Sequence, residues 1–432
     1  MRKLVRFALS ISAATAMLAG CGESQPPIGA SIATNPSSSN TSDAVSNGRG
    51  YKTLYSFQGA PNAMLPHAGL TVVNGVFYGT SDGGSCYAGT CGGTVYEMTP
   101  SGTEHVIYDF KGGTDGFGPS NLLNLNGKLY GVLVGGGKCD SSAYGCGTVF
   151  KLSTQGDEHV LYRFKGGRDG DRPDAGLTLL NGMLYGTTYY GGKGMGTVFE
   201  ISTTGHERVL HRFSGGSDGW GPSAQLIVFK GKLYGTTSYG GSNQCQGTGC
   251  GTVFSVSASG AEHVLYAFQG AYSTGDGASP EAGLVAVNNV LYGTTGGGGY
   301  TRGHCGGGTG GCGTVFSITP AGKERVFYRF KDRPDGEGPS ASLVAANGKL
   351  FGTTYKGGLG PKYYSGYGTV FEVTPSGTES VIHRFRGAPD GNGPFSNLVY
   401  FKGILYGTTD SGGSGCSNFS PPGCGTVFKL SP

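Results

Sequence analysis

Three ionisable residues break a pattern that otherwise repeats along this chain of 432 residues. Asp174 and Glu281 each follow a proline near the start of a short apolar segment, and His67 follows the first such proline. A catalytic residue in a repeat protein is expected to break the repeat, and an acid pair could serve a polysaccharide lyase or hydrolase. Because the sequence does not fix the separation of these side chains, catalysis remains an alternative to simple binding.

Aromatic residues form a second set of repeat-breaking positions, most of them in longer Gly-rich loops. The candidates for ligand binding are Tyr189, Tyr190, Trp220, Tyr239, Tyr355, Tyr363 and Tyr364, with Tyr300 and Tyr367 in similar loops. Rings presented on a rigid face stack against sugars or insert into a partner protein. The alternative is that they pack over the loops as a local lid.

Other signs of enzymatic or nucleic-acid function are absent from the sequence. It contains no HExxH or Walker motif. Histidine recurs beside glutamate at one position of a repeated strand, as in His105, His159 and His263, which indicates a scaffold role. The formal charge of +4 becomes +1 without the N-terminal Arg2, Lys3 and Arg6, so nothing directs the protein to nucleic acid.

Ten cysteines fall into close pairs, each inside one Gly-rich loop. The pairs are Cys86 with Cys91, Cys139 with Cys146, Cys245 with Cys250, Cys305 with Cys312, and Cys416 with Cys424. In an exported chain this spacing predicts disulfides that stiffen the loops. A metal site would need about four converging ligands, and no loop has more than two cysteines.

An Asp-Gly pair recurs in the loop that precedes most of the prolines. The acids are Asp115, Asp169, Asp218, Asp276, Asp335 and Asp390, and the first repeat has Asn62 instead. The pattern favours an Asp that accepts backbone N–H bonds in its own turn, followed by a Gly with positive φ. A structural Ca²⁺ is the alternative and is not favoured, because one carboxylate per loop is too few. We expect no cofactor.

These features sit on a repeat of about fifty residues, present seven times. Gly makes up 87 residues and charged residues only 13%, a balance typical of short strands with tight turns. One repeat reads as strands A (AGLTLL), B (MLYGTT), C (GTVFEIS) and D (HERVLHRF), in which A pairs with B and C with D through tight hairpins. Such a unit predicts one blade of an all-β, seven-bladed β-propeller. A β-solenoid is the rival fold.

The two ends of the repeat region complement each other. The first repeat element is a D strand, residues 51–57, and the chain stops shortly after a C strand, residues 425–430. We expect the N-terminal strand to complete the last blade and so close the ring. In this topology the A–B and C–D turns lie at one end, while the longer B–C and D–A connections lie at the other, where function is expected.

The recurring GTVF or GTVY and YGT elements, from Tyr51 to the C-terminus, resemble the GloVer tandem-repeat family of bacterial exported proteins and, more distantly, kelch blades. The resemblance implies a surface or secreted propeller and no established reaction. Departures are small: Phe351 replaces Tyr, Val132 follows Gly131, and Tyr96 replaces Phe.

The N-terminus predicts export and lipidation. Residues 1–20 have a basic start and a short apolar run, typical of a signal peptide, and Leu-Ala-Gly before Cys21 resembles a bacterial lipobox. The alternative is an ordinary signal with a stray Cys. Residues 21–50 form a lipidated Cys and a disordered Ser/Pro/Asn tether, and residues 51–432 form the propeller.

The sequence therefore predicts a monomeric lipoprotein anchored in the bacterial envelope, at the outer membrane if the cell is Gram-negative. We expect it to act as a non-catalytic scaffold that binds an extracellular glycan or an envelope protein. The alternatives are a lyase or hydrolase in the central mouth and a purely structural envelope protein.

Overall fold

The computed structural model describes residues 50–59, 63–84, 86–87, 90–139, 144–270, 275–300, 305, 310–360, 366–416 and 422–432. These residues lie in the compact unit Ser46–Pro432. They form an all-β, seven-bladed propeller, as the repeat predicts. None of the helices among the described residues has the length and apolar character needed to cross a membrane.

The strands of the first four blades follow chain order. The N-terminal strand is β1 (Lys52–Ser56), and the first blade contains β2 (Thr71–Val73), β3 (Val76–Ser81), β4 (Cys86–Tyr87), β5 (Thr90–Cys91), β6 (Thr94–Met98) and β7 (Glu104–Asp109). The second contains β8 (Phe117–Pro119), β9 (Leu123–Leu125), β10 (Lys128–Gly135), β11 (Thr148–Ser153) and β12 (Glu158–Arg163). The third contains β13 (Thr178–Leu180), β14 (Met183–Thr188), β15 (Thr197–Ile201) and β16 (Glu207–Arg212), and is followed by a 3₁₀ turn (Gly216–Asp218). The fourth contains β17 (Ile227–Phe229), β18 (Lys232–Thr237), β19 (Thr252–Val256) and β20 (Glu262–Ala267).

The last three blades follow the same plan. The fifth contains β21 (Gly277–Ala278), β22 (Val285–Val287), β23 (Val290–Thr295), β24 (Gly297–Gly298), β25 (Thr314–Ile318) and β26 (Glu324–Arg329). The sixth contains β27 (Gly336–Glu337), β28 (Val344–Ala346), β29 (Lys349–Thr354), β30 (Lys356–Gly357), β31 (Thr369–Val373) and β32 (Glu379–Arg384), and the seventh β33 (Val399–Phe401), β34 (Ile404–Thr409) and β35 (Thr426–Leu430).

Each blade is an antiparallel A–B–C–D sheet, as in the order β13-β14-β15-β16. A strands of neighbouring blades contact one another, for example β13 with β17, so A lies nearest the axis. The A strands are shorter than predicted: only Thr178–Leu180 of the expected AGLTLL segment pairs with β14. The residues before them leave the sheet and border the centre of the ring.

The predicted closure is confirmed. Strand β1 pairs antiparallel with β35, with Lys52 opposite Lys429 and Ser56 opposite Thr426. The sheet order is β1-β35-β34-β33, so the N-terminal strand is the D strand of the seventh blade. The Phe57 N–H donates to the Gly425 carbonyl at 3.0 Å, which extends the pairing past the strand. This arrangement leaves no half-built blade at the junction.

The core lies between blades. The D-strand Phe of each blade meets the C-strand aromatic of the next at 5.0 to 5.3 Å between ring centroids, in tilted edge-on pairs: Phe57–Tyr96, Phe110–Phe150, Phe164–Phe199, Phe213–Phe254, Phe268–Phe316, Phe330–Phe371 and Phe385–Phe428. Such pairs contribute about 0.5–1.5 kcal/mol each beyond the apolar area they bury. The pair Phe57–Tyr96 joins the last blade to the first.

The repeated glycine of the YGT element makes room for these rings. A Cβ at Gly131 would lie 2.6 Å from the Phe150 ring, and one at Gly186 would lie 2.6 Å from the Phe199 ring. These contacts are too short for any side chain, so the Phe of GTVF and the Gly of YGT depend on each other within one blade.

A polar cluster recurs outside this core, where the D strands of neighbouring blades meet. The Tyr162 hydroxyl donates to Asp169 at 2.8 Å, and the Lys165 N–H donates to the same carboxylate at 2.8 Å. Asp115, Asp218, Asp276, Asp335 and Asp390 accept the same kind of backbone bond, which is the predicted turn function. A Glu from the next blade, here Glu207, faces the carboxylate.

These glutamates predict a pH-dependent stability. Burial and the facing aspartate raise the pKa of Glu158, Glu207, Glu324 and Glu379 to about 7. Between the ordinary carboxyl pKa and about 7, the folded state therefore binds more protons than the unfolded state, so stability falls as pH rises through this window. We expect a lower melting temperature at about pH 8 than at about pH 5, and a weaker dependence in the Glu207→Gln, Glu324→Gln double variant.

The measurement is calorimetric melting across this pH range, with Asp157→Asn in an exposed turn as the control carboxylate. A melting temperature that rises with pH, or an unchanged slope in the double variant, contradicts the assignment.

Candidate functional site

A cavity of about 740 Å³ lies on the propeller axis, bordered by residues from all seven blades. Its wall comes mainly from the stretch between each repeated Pro and the following A strand, and from the residue after the B strand. Both places lie at the end of the ring that carries the B–C and D–A loops. The elaborated end is therefore also the open mouth of this axial cavity.

The three ionisable residues that break the repeat all lie on the wall of this cavity. His67, Asp174 and Glu281 all line it, from the first, third and fifth blades. They occupy the same position of the repeat, immediately after Pro66, Pro173 and Pro280. The structure thus places all three on the wall of one cavity, on alternate blades.

Hydrogen bonds between blades hold the cavity floor. The Gly69 N–H donates to the Asn121 side-chain carbonyl at 2.7 Å, and the Ser342 N–H donates to that of Asn397 at 2.7 Å. The Gln225 amide donates to the Leu177 carbonyl at 2.8 Å. These amide side chains, with Ser223 and Ser340, line the same cavity and give it a polar surface.

On the third blade, Arg172 holds Asp174 in place. The Arg172 Nε donates to Asp174 Oδ1 at 3.2 Å, and the guanidinium lies 5.5 Å from the centroid of the Tyr189 ring. Burial raises the pKa of the Asp174 carboxyl, and Arg172 opposes the rise. The Tyr189 N–H donates to the Arg172 carbonyl at 2.8 Å, so backbone pairing sets this group.

His67 makes ion pairs with two carboxylates that flank the closure. Its Nε2 lies 3.3 Å from Asp82 Oδ2 of the first blade and 3.1 Å from Asp410 Oδ1 of the seventh. Burial lowers the pKa of His67, but the hydrogen bond that its Nε2–H donates to Asp410 and the charges of both aspartates outweigh burial and raise the pKa to about 9. His67 is therefore a cation at neutral pH.

Glu281 differs from the other two. Its side chain is exposed at the cavity, and the surrounding protein raises the pKa of its carboxyl through desolvation. Among the described residues it has neither a hydrogen bond nor an ion pair. Its charge, together with burial, raises the pKa of the nearby Tyr239 hydroxyl.

The predicted aromatic residues gather on two sides of the mouth. Tyr189 lines the cavity, its hydroxyl is hydrogen-bonded to that of Tyr239, and its ring meets Tyr190 at 4.7 Å. Tyr239 stacks on Trp220 with centroids 4.2 Å apart, and the two residues form an isolated β-bridge. The four rings of Tyr189, Tyr190, Trp220 and Tyr239 form the aromatic rim.

On the other side, Tyr355 meets Phe395 at 5.9 Å, and Phe395 lines the cavity beside His67. Tyr363, Tyr364 and Cys21 lie outside the described residues, so their predicted roles remain predictions.

Several residues of the cavity were missed by the sequence analysis. Asp82 and Asp410 immediately follow the B strand, where other repeats have Val134, Ser238 or Gly296. This second position has no common residue among the repeats, so the sequence signal is only that two of its residues are acids. Arg172 and Phe395 also differ from their counterparts in neighbouring repeats.

Four predicted cysteine pairs are confirmed. Disulfides join Cys139 to Cys146, Cys245 to Cys250, Cys305 to Cys312, and Cys416 to Cys424. For the fifth pair, strands β4 and β5 place Cys86 opposite Cys91, and the Cys86 side chain lies outside the described residues. Such bridges are typical of proteins that fold in an oxidising compartment.

One group of potential metal ligands occurs among the described residues, away from the cavity. The ligand atoms of His211, Asp218 and Glu262 all lie within 4.8 Å of one another. This is the recurring cluster between D strands, with His in place of the usual Tyr, and His211 Nε2 lies 3.1 Å from Asp218 Oδ1.

Comparison with solved structures supports the fold. A catalytically inactive virginiamycin B lyase from Staphylococcus aureus, with quinupristin, matches with a TM-score of 0.55 and 13% identity over 88% of this chain and 99% of that one. The GH74 enzyme from Niastella koreensis matches with a TM-score of 0.50 and 11% identity over 83% of this chain and 52% of that one. At these identities the likeness establishes the propeller fold alone. No curated protein matches the chain.

The repeat itself has a family match. The model of the Gloeobacter/Verrucomicrobia repeat matches residues 41–245, 126–305 and 304–432, which together span the whole propeller. The recurring YGT and GTVF elements, the glycines they supply and the aromatic pairs they build are therefore family features, and this chain belongs to the Gloeobacter/Verrucomicrobia repeat family.

Proposed function

We propose that this protein is an envelope-anchored lipoprotein whose propeller binds a glycan in the axial cavity without transforming it. The observation that carries the proposal is a cavity of about 740 Å³ that has a polar floor and the rings of Tyr189 and Phe395 on its wall. The other rings of the aromatic rim continue outward from Tyr189 through its contacts with Tyr190 and Tyr239. Ligand sites of this size usually combine aromatic walls with a few fixed polar groups.

The chemistry of the wall suits a sugar. Aromatic rings offer flat apolar faces, and those of Tyr189 and Phe395 border the cavity from the third and seventh blades. Side-chain amides of Asn121, Gln225 and Asn397 lie on the floor between them, held by the bonds between blades. A carbohydrate offers both an apolar ring face and many hydroxyls, and so it meets both kinds of group.

A concave site favours a glycan over an envelope protein as the partner. Stable protein interfaces need roughly 800 Å² on each partner, usually with a buried apolar centre. Among the described residues, the aromatic side chain with the highest exposed fraction is Tyr144, at 69%. It lies in a loop of the second blade, outside the cavity wall.

Export and anchoring complete the proposal. The disulfides support passage through an oxidising compartment. Lipidation of Cys21 and the tether of residues 22–50 would hold the propeller at the membrane with its mouth accessible.

Glycan binding is tested with a glycan array and the fragment that starts near Gly50. Simultaneous Tyr189→Ala, Tyr190→Ala and Trp220→Ala substitutions are expected to weaken binding by about tenfold or more, because stacking area is lost. Tyr300→Ala removes a ring that is 46% exposed and does not border the cavity, so it should bind as the native fragment does. Equal binding by the triple variant, or none by the native fragment, contradicts the proposal.

A second candidate is a polysaccharide lyase or hydrolase, which is favoured by the presence of His67, Asp174 and Glu281 on the wall of one cavity. Burial raises the pKa of the Asp174 and Glu281 carboxyls, which is the direction of shift expected of a proton donor. If the cavity is catalytic, the native protein releases shortened oligosaccharides from its bound polysaccharide, and Asp174→Asn or Glu281→Gln lowers turnover by roughly 100-fold or more. Chromatography of the products decides: binding with no product release supports the non-catalytic function.

Anchoring is tested by Cys21→Ser. We expect the native protein in the membrane fraction and the variant in the soluble fraction, since acyl chains supply the membrane affinity. Cys86→Ser, which removes a loop cysteine, serves as the control and should stay with the membrane. If Cys21→Ser remains in the membrane fraction to the same extent as the native protein, lipidation at Cys21 is contradicted.

A further inference from the structure

The charges in the axial cavity do not balance. The ionisable side chains on its wall among the described residues are His67, Asp82, Arg172, Asp174 and Glu281. Two are cations and three are acids, and Asp410 adds a fourth acid beside His67. The described wall is therefore net negative, which disfavours an anionic sugar.

Most of these charges are already matched. His67 lies between Asp82 and Asp410, at 3.3 and 3.1 Å. Arg172 pairs with Asp174 at 3.2 Å and covers the Tyr189 ring. Both cations thus face carboxylates of their own.

Glu281 carries the unmatched charge. It is exposed at the cavity, and no described side chain forms an ion pair with it. The corresponding positions of neighbouring repeats hold Ser223 and Ser340, which also line the cavity but carry no charge. The third blade also has a carboxylate at this position, Asp174, but that one is paired with Arg172.

Glu281 also lies near aromatic rings. It lines the same cavity as Tyr189, whose hydroxyl is hydrogen-bonded to that of Tyr239, and Tyr239 stacks on Trp220 at 4.2 Å. A carboxylate beside electron-rich rings is the combination that recognises an ammonium group. The Arg172 guanidinium already lies over the Tyr189 ring. No cation among the described residues lies over the ring of Tyr239 or Trp220.

We infer that the axial cavity selects glycans that carry an unsubstituted amino group, with the ammonium group bound against Glu281 and the aromatic rim. This inference rests on the proposed glycan-binding function and names the ligand class. A carboxylate can also accept a bond from a neutral hydroxyl, so the test has to separate charge from hydrogen bonding.

The experiment compares three β-1,4-linked oligosaccharides of equal length by calorimetry: glucosamine, N-acetylglucosamine and glucose oligomers. We expect the native protein to bind the glucosamine oligomer about tenfold more tightly than the other two at low ionic strength, with the ratio shrinking as salt is added. Glu281→Gln keeps hydrogen-bonding capacity without charge, and Glu281→Ser copies Ser223 and Ser340. Both should bring the ratio to about one.

Two further variants test whether a changed affinity ratio reflects the charge on the cavity wall rather than a loss of folding. Ser340→Glu adds a second carboxylate to the wall and should increase the ratio. Asp157→Asn, an exposed turn carboxylate outside the cavity wall, should leave the ratio unchanged. Equal native affinity for all three oligomers, or a preference that survives Glu281→Gln, overturns the inference and leaves glycan binding intact. Binding of none of the three overturns both.

Discussion

The structure depends on one contact made seven times: a phenylalanine at the end of a D strand packs edge-on against the C-strand ring of the next blade. The second ring fits only because the B strand beside it has a glycine. Neither sheet face could be buried within a single blade, so each blade depends on its neighbours and the set is stable only as a closed ring. Phe57 and Tyr96 make this contact across the junction of the chain ends.

Because these aromatic pairs hold the blades together, the rest of each repeat can vary in sequence. Residues after the repeated Pro and after the B strand lie at the mouth, outside the aromatic pairs that pack one blade on the next. Substitutions there change the cavity wall without altering the core, which is how His67, Asp174 and Glu281 came to share one site. The disulfides act at the same end, within the loops that surround the mouth. A rigid ring thus presents a variable site at one end.

The sequence was sufficient for the fold because each landmark has a repeated physical cause. Phe, Gly and Thr recur because the same contacts recur, and the surplus strand at residues 51–57 matched the strand missing at the other end. The A strands were predicted too long, since Ala175 and Gly176 have strand-like neighbours but lie before the paired strand, and Ala175 borders the cavity. For the site, the search for residues that break the repeat identified His67 and Asp174 but not the side chains that pair with them. Asp82 and Asp410 become neighbours only after closure brings the first and last blades together.

Hydrogen exchange of the native chain, resolved to single strands, tests the closed ring most directly. The amides of Lys52–Ser56 should be protected as well as those of an internal D strand such as Glu207–Arg212, because both pair with a C strand. Exchange of Lys52–Ser56 at the rate of exposed loops, while Glu207–Arg212 remains protected, would contradict closure by the N-terminal strand.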